Sequence, residues 1–468
     1  MGMTVLDQLT AALGAGKVLT DAASLQARRH DYWFLSALND FQGRPAPEPL
    51  CVVRPICVDD VVATVNTCRE AGIALITFGL GSGVCGGVIA TPESVLLDMS
   101  SMDRVRDIDP INMLASFEAG HNGAAAEKAV AAKGMTIGNF PQSIAMSSVG
   151  GWIATRASGQ FSSVYGNTED IVYSIEAVMP DGSVVNFGKA PRASAGPDLR
   201  HLLLGSEGTM GVITGVTFSL RRQAEKRISQ TFYAPDMITG LEAQRQMVQQ
   251  GWAVPVMRLY DEVESVRHAG DDHRPGCAVL MLVHEGPATR VDLEVVEVRR
   301  IALEVGLEEA PAAITEGWLE HRNDVPSWDE LLSKGYVVDT IEISAPWTRI
   351  GDVYNESVAA LQAIPHNLIG SAHSSHVYRS GINLYFTFVV QPTDEAEMAS
   401  AYLASWKAVL DATAANGGGI AHHHGIGRVR KNYLSEDLGD TGVAVLRAVK
   451  AALDPACIMN PGVLLPDA

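Results

Sequence analysis

Along this chain, short apolar runs alternate with amphipathic stretches, and the order in which they alternate changes near the middle. Residues Thr4–Leu13 place apolar side chains at helical spacing and predict a short helix, followed by a Pro-rich loop at 44–49. Cys51–Arg54 is an apolar strand. Asp59 and Asp60 open a helix through Val61, Val62, Val65 and Cys68, which Gly72 ends. Ala74–Phe78, Val95–Asp98 and Leu114–Ala119 read as strands, and Ala124–Ala132 as an Ala-rich helix stopped by Gly134. This β-α-β order predicts an α/β region. Tyr173–Val178 and Val184–Phe187 flank Pro180-Asp181-Gly182, a hairpin turn. Leu199–Leu204 is a short helix or strand, and Val212–Leu220 alternates as a strand. The charged patch from Arg221 to Arg227 marks a domain boundary.

Beyond it, strands at Ile228–Tyr233, Val256–Tyr260, Ala278–His284, Val337–Ile343 and Leu384–Val390 alternate with amphipathic helices. The helices are Ile238–Gln249, Val291–Val305, one near Val353–Ala363, and Met398–Ala415. That pattern predicts an α+β domain with an antiparallel sheet. Gly417-Gly418-Gly419 then breaks the last of these helices, and Thr441–Leu453 is a final amphipathic helix. The fold class expected is therefore α+β overall, in four parts: an N-terminal helical segment at 1–48, a ligand-binding domain of two α/β subdomains at 49–222, a cap at 223–415, and a C-terminal segment at 416–468.

Composition narrows what such a chain can do. It has 468 residues, a net charge of −19 and scattered Arg and Lys, which argues against nucleic acid as a partner. No apolar run is long enough to span a bilayer. The N-terminus lacks the basic and apolar regions of a signal peptide, and Leu6 stands where a myristoylation signal beginning at Gly2 needs Ser or Thr. The six cysteines form no CxxC pair and read as reduced thiols of a cytoplasmic protein.

Two segments depart from ordinary core composition. Gly79-Leu80-Gly81-Ser82-Gly83-Val84-Cys85-Gly86-Gly87 follows a strand, as phosphate-cradling loops do, yet it is neither GxGxxG opening a helix nor GxxxxGK[ST]. By itself it is also compatible with a plain turn. The stretch from Pro141 to Ile213 is rich in Gly, Ser, Thr and Ala where a core would want Leu or Val, the composition of a backbone pressed against a large flat polar ligand.

The loop Gly79–Gly87 resembles the GGGTSVxGG pyrophosphate loop of FAD-linked oxidases with the vanillyl-alcohol-oxidase (PCMH-type) fold, with Leu80 in place of a Gly and Ser82-Gly83 in place of Thr-Ser. SVGGWIATRASG, Tyr165-Gly166-Asn167, GSEGTMGVIT, SAPWTR (Ser344–Arg349), LYFTF (Leu384–Phe388) and HHHGIGR (His422–Arg428) resemble the alkyl-dihydroxyacetonephosphate synthase branch. The likeness runs from about Pro49 to Leu465. It implies a PCMH-type FAD-binding domain in which Gly79, Gly81, Ser82, Gly83 and Val84 hold the pyrophosphate. Pro141, Ser143, Ser147, Gly150, Gly151, Ala157, Ser158, Gly159 and Tyr165 would line FAD, with Glu207 and Ile213 near its ribose, adenine or ring. No His falls in the Gly79–Gly87 loop, where some relatives attach FAD covalently, so non-covalent FAD is expected.

The residues that could do chemistry lie far along the chain. His422, His423 and His424 are a poor metal set, because adjacent side chains diverge; following three Gly they lie on a loop, where imidazoles can meet an anion or exchange a proton. Tyr385 on its own reads as a core aromatic of a strand, and the resemblance implies that it handles a proton at the flavin. Arg258 and Arg349 are cations in apolar contexts. Each reads either as a structural ion pair, with Asp261 or Glu342 for instance, or as a clamp for a substrate carboxylate or phosphate. Metal-dependent relatives carry a GHxGDGNxH-type motif and then EHGIG. Here Tyr385 lies near the place of a second His, and His423 stands in place of the Glu, so no metal is expected, with any metal role of the HxxH pair His373 and His376 left open. The expected function is an FAD-dependent oxidoreductase acting on a small anionic hydroxy substrate, with hydride passing to flavin N5 and oxygen or another acceptor reoxidising it. The alternatives are a synthase-like transferase without net redox and a flavin-binding protein that has lost catalysis. A homodimer is left open.

Overall fold

The computed structural model describes residues 3–325 and 327–467. Gly2, weighed above as a lipidation site, lies outside them. None of the helices described is long and apolar enough to cross a membrane. Parallel strands Cys51–Val53, Val95–Asp98 and Leu75–Phe78 form the first sheet, with Val18–Leu19 antiparallel on its edge. Helix Val58–Ala71 makes the crossover. Asp59 and Asp60 sit in its first turn, and Gly72 ends it with φ +64. The second sheet has five antiparallel strands in the order Val105–Asp109, Leu114–Glu118, Val212–Ser219, Val172–Val178, Val184–Phe187. The hairpin predicted at Pro180-Asp181-Gly182 joins the last two.

The cap is one seven-stranded antiparallel sheet. In spatial order its strands are Glu308–Ala310, Lys226–Ala234, Ala278–Gly286, Val256–Tyr260, Asn367–Ser374, Gly381–Val390 and Val337–Pro346. Side chains alternate between its faces. Met257, Leu259, Leu280, Leu282, Ile341, Ile343, Ala372, Leu384, Phe386 and Phe388 point to one face and are buried in the core beneath helices Met237–Gln249, Ala288–Val305, Ile350–Gln362 and Met398–Ala415. Val256, Tyr260, Val279, Met281 and Val283 point the other way and pack with Phe161 and Tyr165 of the N-terminal half. A residue's parity along a strand therefore decides whether it joins the helical core or the junction between the two halves of the molecule.

Pattern reading passed over helices Ala22–Gln26, Phe34–Phe41, Glu262–Ala269 and Ala312–His321. Val149–Thr155, inside the Gly-rich bed, is a helix whose N-cap Ser148 accepts the Gly151 N–H. The last helix spans Leu434–Leu453 and is interrupted at Gly439, φ +65, so it starts earlier than expected. After it the chain returns to the first sheet: Leu75 N–H donates to Ile458 at 2.8 Å and Asn460 N–H to Leu75 at 2.9 Å.

Candidate active site

Parity assembles the site. Arg258 shares a strand face with Val256 and Tyr260, away from the helical core. Register then aligns Tyr260 with His373, His373 with Tyr385, and Tyr385 with Glu342, a row of polar side chains across four adjacent strands. All of them are buried except Tyr385, which is partly so. The imidazole of His373 lies flat on the Tyr385 ring, centroids 5.0 Å apart and 6° between planes.

The loop carrying His422, His423 and His424 closes over this row. Its shape is imposed by Glu342, whose Oε1 accepts the backbone N–H groups of His422 (3.4 Å), His423 (3.1 Å) and His424 (2.7 Å). Fully buried Arg430 neutralises that carboxylate through its two terminal nitrogens, Nη1 and Nη2, with Nη1 also holding Gly425 O at 2.7 Å, and lies 4.9 Å from the Trp406 ring centre. A buried carboxylate is tolerated only with this degree of pairing. The loop in turn brings His423 Nε2 and His424 Nε2 to 2.6 and 2.8 Å from the Tyr385 hydroxyl. His424 Nδ1 has no hydrogen-bond partner and lies 3.7 Å from Glu342 Oε2.

Burial sets the protonation states. It pulls His422 down to about 3 and His424 down to about 4, with like-charge neighbours adding to the effect at His422. His423 and His376 also fall well below the ordinary value, again chiefly through burial. The imidazoles are neutral at neutral pH, and burial raises the Tyr385 phenol, keeping it protonated. Nitrogen atoms of His376, His422 and His423 lie within 4.8 Å of one another, close enough for a metal-ligand set. Every one of these rings already has hydrogen-bond partners: Ser375 and Gly159 for His376, Tyr378 for His422, Tyr385 for His423, and each other for the last two.

Arg258 is not in an ion pair with Asp261 or Glu342, the partners considered from sequence. Its Nε donates to Tyr260 Oη at 2.8 Å and its Nη2 to His373 Nε2 at 2.7 Å, and it lies 5.1 Å from the Trp318 ring centre. His373 Nδ1 then bonds Glu264 at 2.6 Å. Among the described residues no carboxylate touches the Arg258 guanidinium. Arg349 does not join the cluster. It is exposed at the N-cap of helix Ile350–Gln362, on the opposite face of the sheet, and is removed from the candidate clamp. Arg322, missed in the sequence because HRND reads as a solvated turn, is half-buried, lies 5.6 Å from the Phe161 ring centre and has a buried Nε without a partner.

The ligand bed fits a dinucleotide. Among the described residues, no backbone N–H from Gly79 to Gly86 donates to a protein acceptor, although the segment is half to fully buried. Such a run of free donors suits a pyrophosphate. Thr77 Oγ1 and Asn460 Oδ1 are buried without partners, and Gly208, with φ +76, is positioned so that an added Cβ would sit 3.6 Å from the former. Glu207 bonds Ile426 N–H at 2.7 Å and Gly427 N–H at 2.9 Å, tying the bed to the His loop, and burial raises its carboxyl to about 7. Asp31 mirrors it, bonding Gly87 N–H at 2.7 Å, with its carboxyl also raised to about 7 by burial. Three expected bed residues do other work. Gly150 lets its helix approach Ala119, whose Cβ would lie 2.7 Å from an added Cβ; Ser147 Oγ accepts from Trp152 Nε1; and the Tyr165 hydroxyl bonds Glu285 of the cap.

Free donors in a Gly loop, a Gly-rich bed and a cap sheet whose polar row faces it define a flavoprotein of the PCMH type. The match described as "FAD binding domain" covers residues 49–188, and that described as "FAD linked oxidases, C-terminal domain" covers 224–464. The chain belongs to the FAD-linked oxidases and binds FAD. It is 31% identical to the FAD-linked oxidoreductase YgcU of Escherichia coli K12, over 99% of this chain and 98% of that one. It is 27% identical to alkyldihydroxyacetonephosphate synthase of Caenorhabditis elegans, over 92% and 78%, and 26% identical to the mitochondrial cytochrome D-lactate dehydrogenase of Arabidopsis thaliana, over 89% and 74%. Solved structures of alkyldihydroxyacetonephosphate synthase (TM-score 0.81, 24% identity, 98% of this chain and 86% of that one) and p-cresol methylhydroxylase (0.76, 17%, 98% and 95%) share the fold.

Proposed function

We propose that this enzyme oxidises a small anionic hydroxy compound, of the 2-hydroxy-acid or phosphorylated type. Arg258 carries the reading. A guanidinium buried to this extent, held by a phenol and an imidazole and met by no carboxylate, keeps a strong drive to bind an anion. Arg322 is the second cation available. FAD, held by the Gly79–Gly86 donors and the bed around Ser143, Ser158 and Gly159, supplies the two-electron acceptor when bound.

The chain's own part is to orient the anion and move one proton. The Tyr385 hydroxyl gives its proton to His424 Nε2 while taking that of the substrate hydroxyl, so the phenol carries no net charge. Glu342, which holds the His424 backbone N–H and lies 3.7 Å from Nδ1, orients that ring, and the Asp339 carboxylate favours its protonated form. Burial of the row excludes water.

The second reading is a synthase-like transferase. It is favoured by the 27% identity to the C. elegans synthase over 92% of this chain. Arg258, Tyr385 and His424 would then hold a phosphate ester and move a proton without net redox. Tyr385→Phe tests the proton role common to both readings: FAD stays bound, and turnover falls by about 10²–10⁴-fold. Unchanged turnover would remove Tyr385 from the chemistry.

A further inference from the structure

Three consecutive histidines are more than Tyr385 needs, since among the described residues its hydroxyl bonds only His423 and His424. His422 points elsewhere. Its Nδ1 lies 2.7 Å from His423 Nδ1, and its Nε2 lies 2.7 Å from the hydroxyl of Tyr378. Tyr378 is half-buried, beside exposed Arg379, and accepts from Asn167 Nδ2 at 2.9 Å. The contacts form an unbroken line from the Tyr385 phenol to half-buried Tyr378: Tyr385, His423, His422, Tyr378.

We propose that His423, His422 and Tyr378 are a proton relay serving Tyr385. The inference rests on the proton role assigned to Tyr385 above. A neutral imidazole bonded at both nitrogens accepts a proton on one and releases one from the other, and both rings in this line are bonded at both ends.

Counting donors also gives the line a direction. His424 Nδ1 faces the Glu342 carboxylate, so it carries that ring's proton, and His424 Nε2 must accept. Tyr385 has one proton and spends it on His424, so its oxygen accepts from His423 Nε2–H. His423 Nδ1 then accepts from His422 Nδ1–H, and His422 Nε2 accepts from Tyr378. Every hydrogen points inward, and one carboxylate at the inner end sets them all. Oxidation leaves one proton in excess on His424, because Tyr385 regains its own from the substrate hydroxyl, and that excess proton is the one the line must carry to Tyr378. Return of a proton from His424 to solvent runs the same line after the tautomers invert.

The test is ¹⁵N NMR of holoenzyme labelled at histidine, which reads tautomers without any substrate. The expected pattern is Nδ1–H at His424, Nε2–H at His423 and Nδ1–H at His422. Tyr385→Phe takes away the acceptor for His423 Nε2–H. The proton of His423 then moves to Nδ1, and that of His422 moves from Nδ1 to Nε2, although His422 never touches Tyr385. His422 nitrogens unchanged in Tyr385→Phe, a wild-type pattern with Nε2–H at His424, or an equivalent of zinc bound at these rings would each overturn the relay. Turnover unaffected by Tyr385→Phe would instead overturn the proposed chemistry, so the two failures are distinct.

Discussion

At the scale of single residues, the site depends on charges that water does not reach. Arg430 and Glu342 are both fully buried, and Glu342 also anchors the His loop. Arg430→Met leaves that carboxylate uncompensated and should cost about 3–5 kcal/mol in chemical denaturation. Glu207 is raised to about 7 against an ordinary 4.5, so between those values the folded state holds a proton that the unfolded state lacks. Its contribution to stability is full below the lower value and is lost as pH rises through the upper one. Glu207→Gln keeps an acceptor oxygen and should melt higher than wild type near pH 8, with the difference vanishing near pH 4. The depressed His422 and His424 run the opposite way, losing stability as pH falls below about 6.5. Little of this was legible beforehand. Tyr385 sits in LYFTF, whose alternation is that of any core strand, and only the family likeness singled it out. Glu342, inside an apolar strand, was read only as a possible ion-pair partner of Arg258 or Arg349, and nothing in its sequence context pointed to Arg430 or to the His loop. Arg258 and Arg349 looked alike in sequence, and only strand parity and helix position separate them.

At the scale of elements, the Gly79–Gly87 loop is held open from three sides: Asp31 from the N-terminal segment, Asn460 from the C-terminus and Gly427 from the His loop. Gly427 has φ +54, and an added Cβ would lie 2.0 Å from Cys85 O, inside the Gly79–Gly87 loop. Gly427→Ala therefore costs about 1–2 kcal/mol in backbone conformation alone, and the clash displaces the loop besides. The expected outcome is protein purified largely without FAD, read from the ratio of flavin to protein absorbance. Strands and long helices were legible because their periods are strong, as at Val256–Tyr260 and Met398–Ala415. Val149–Thr155 was not seen as a helix because Gly150-Gly151 weaken its helical pattern, and what requires Gly150 is contact with Ala119, distant in sequence. Phe34–Phe41 was missed because the aromatic side chains that pack against it, from Trp328 and Tyr402, lie hundreds of residues away.

At the scale of the whole molecule, one sheet buried on both faces joins a helical core to a flavin-binding half, and the proposed chemistry is placed at that junction. With no histidine in the Gly79–Gly87 loop, acid precipitation of the pure protein should release its FAD into the supernatant; flavin remaining on the pellet would show a covalent link. The claim that most needs testing is that Arg258 and Tyr385 serve oxidation of an anionic hydroxy compound. The direct measurement is anaerobic mixing of the holoenzyme with a panel of 2-hydroxy acids and phosphorylated hydroxy compounds, followed at the oxidised flavin band. The account predicts that at least one of them bleaches the band in wild type, and that Arg258→Met and Tyr385→Phe bleach far more slowly. No bleaching by any of the panel, with acyl-dihydroxyacetone phosphate shifting the band without reducing it, would contradict the account and favour the transferase.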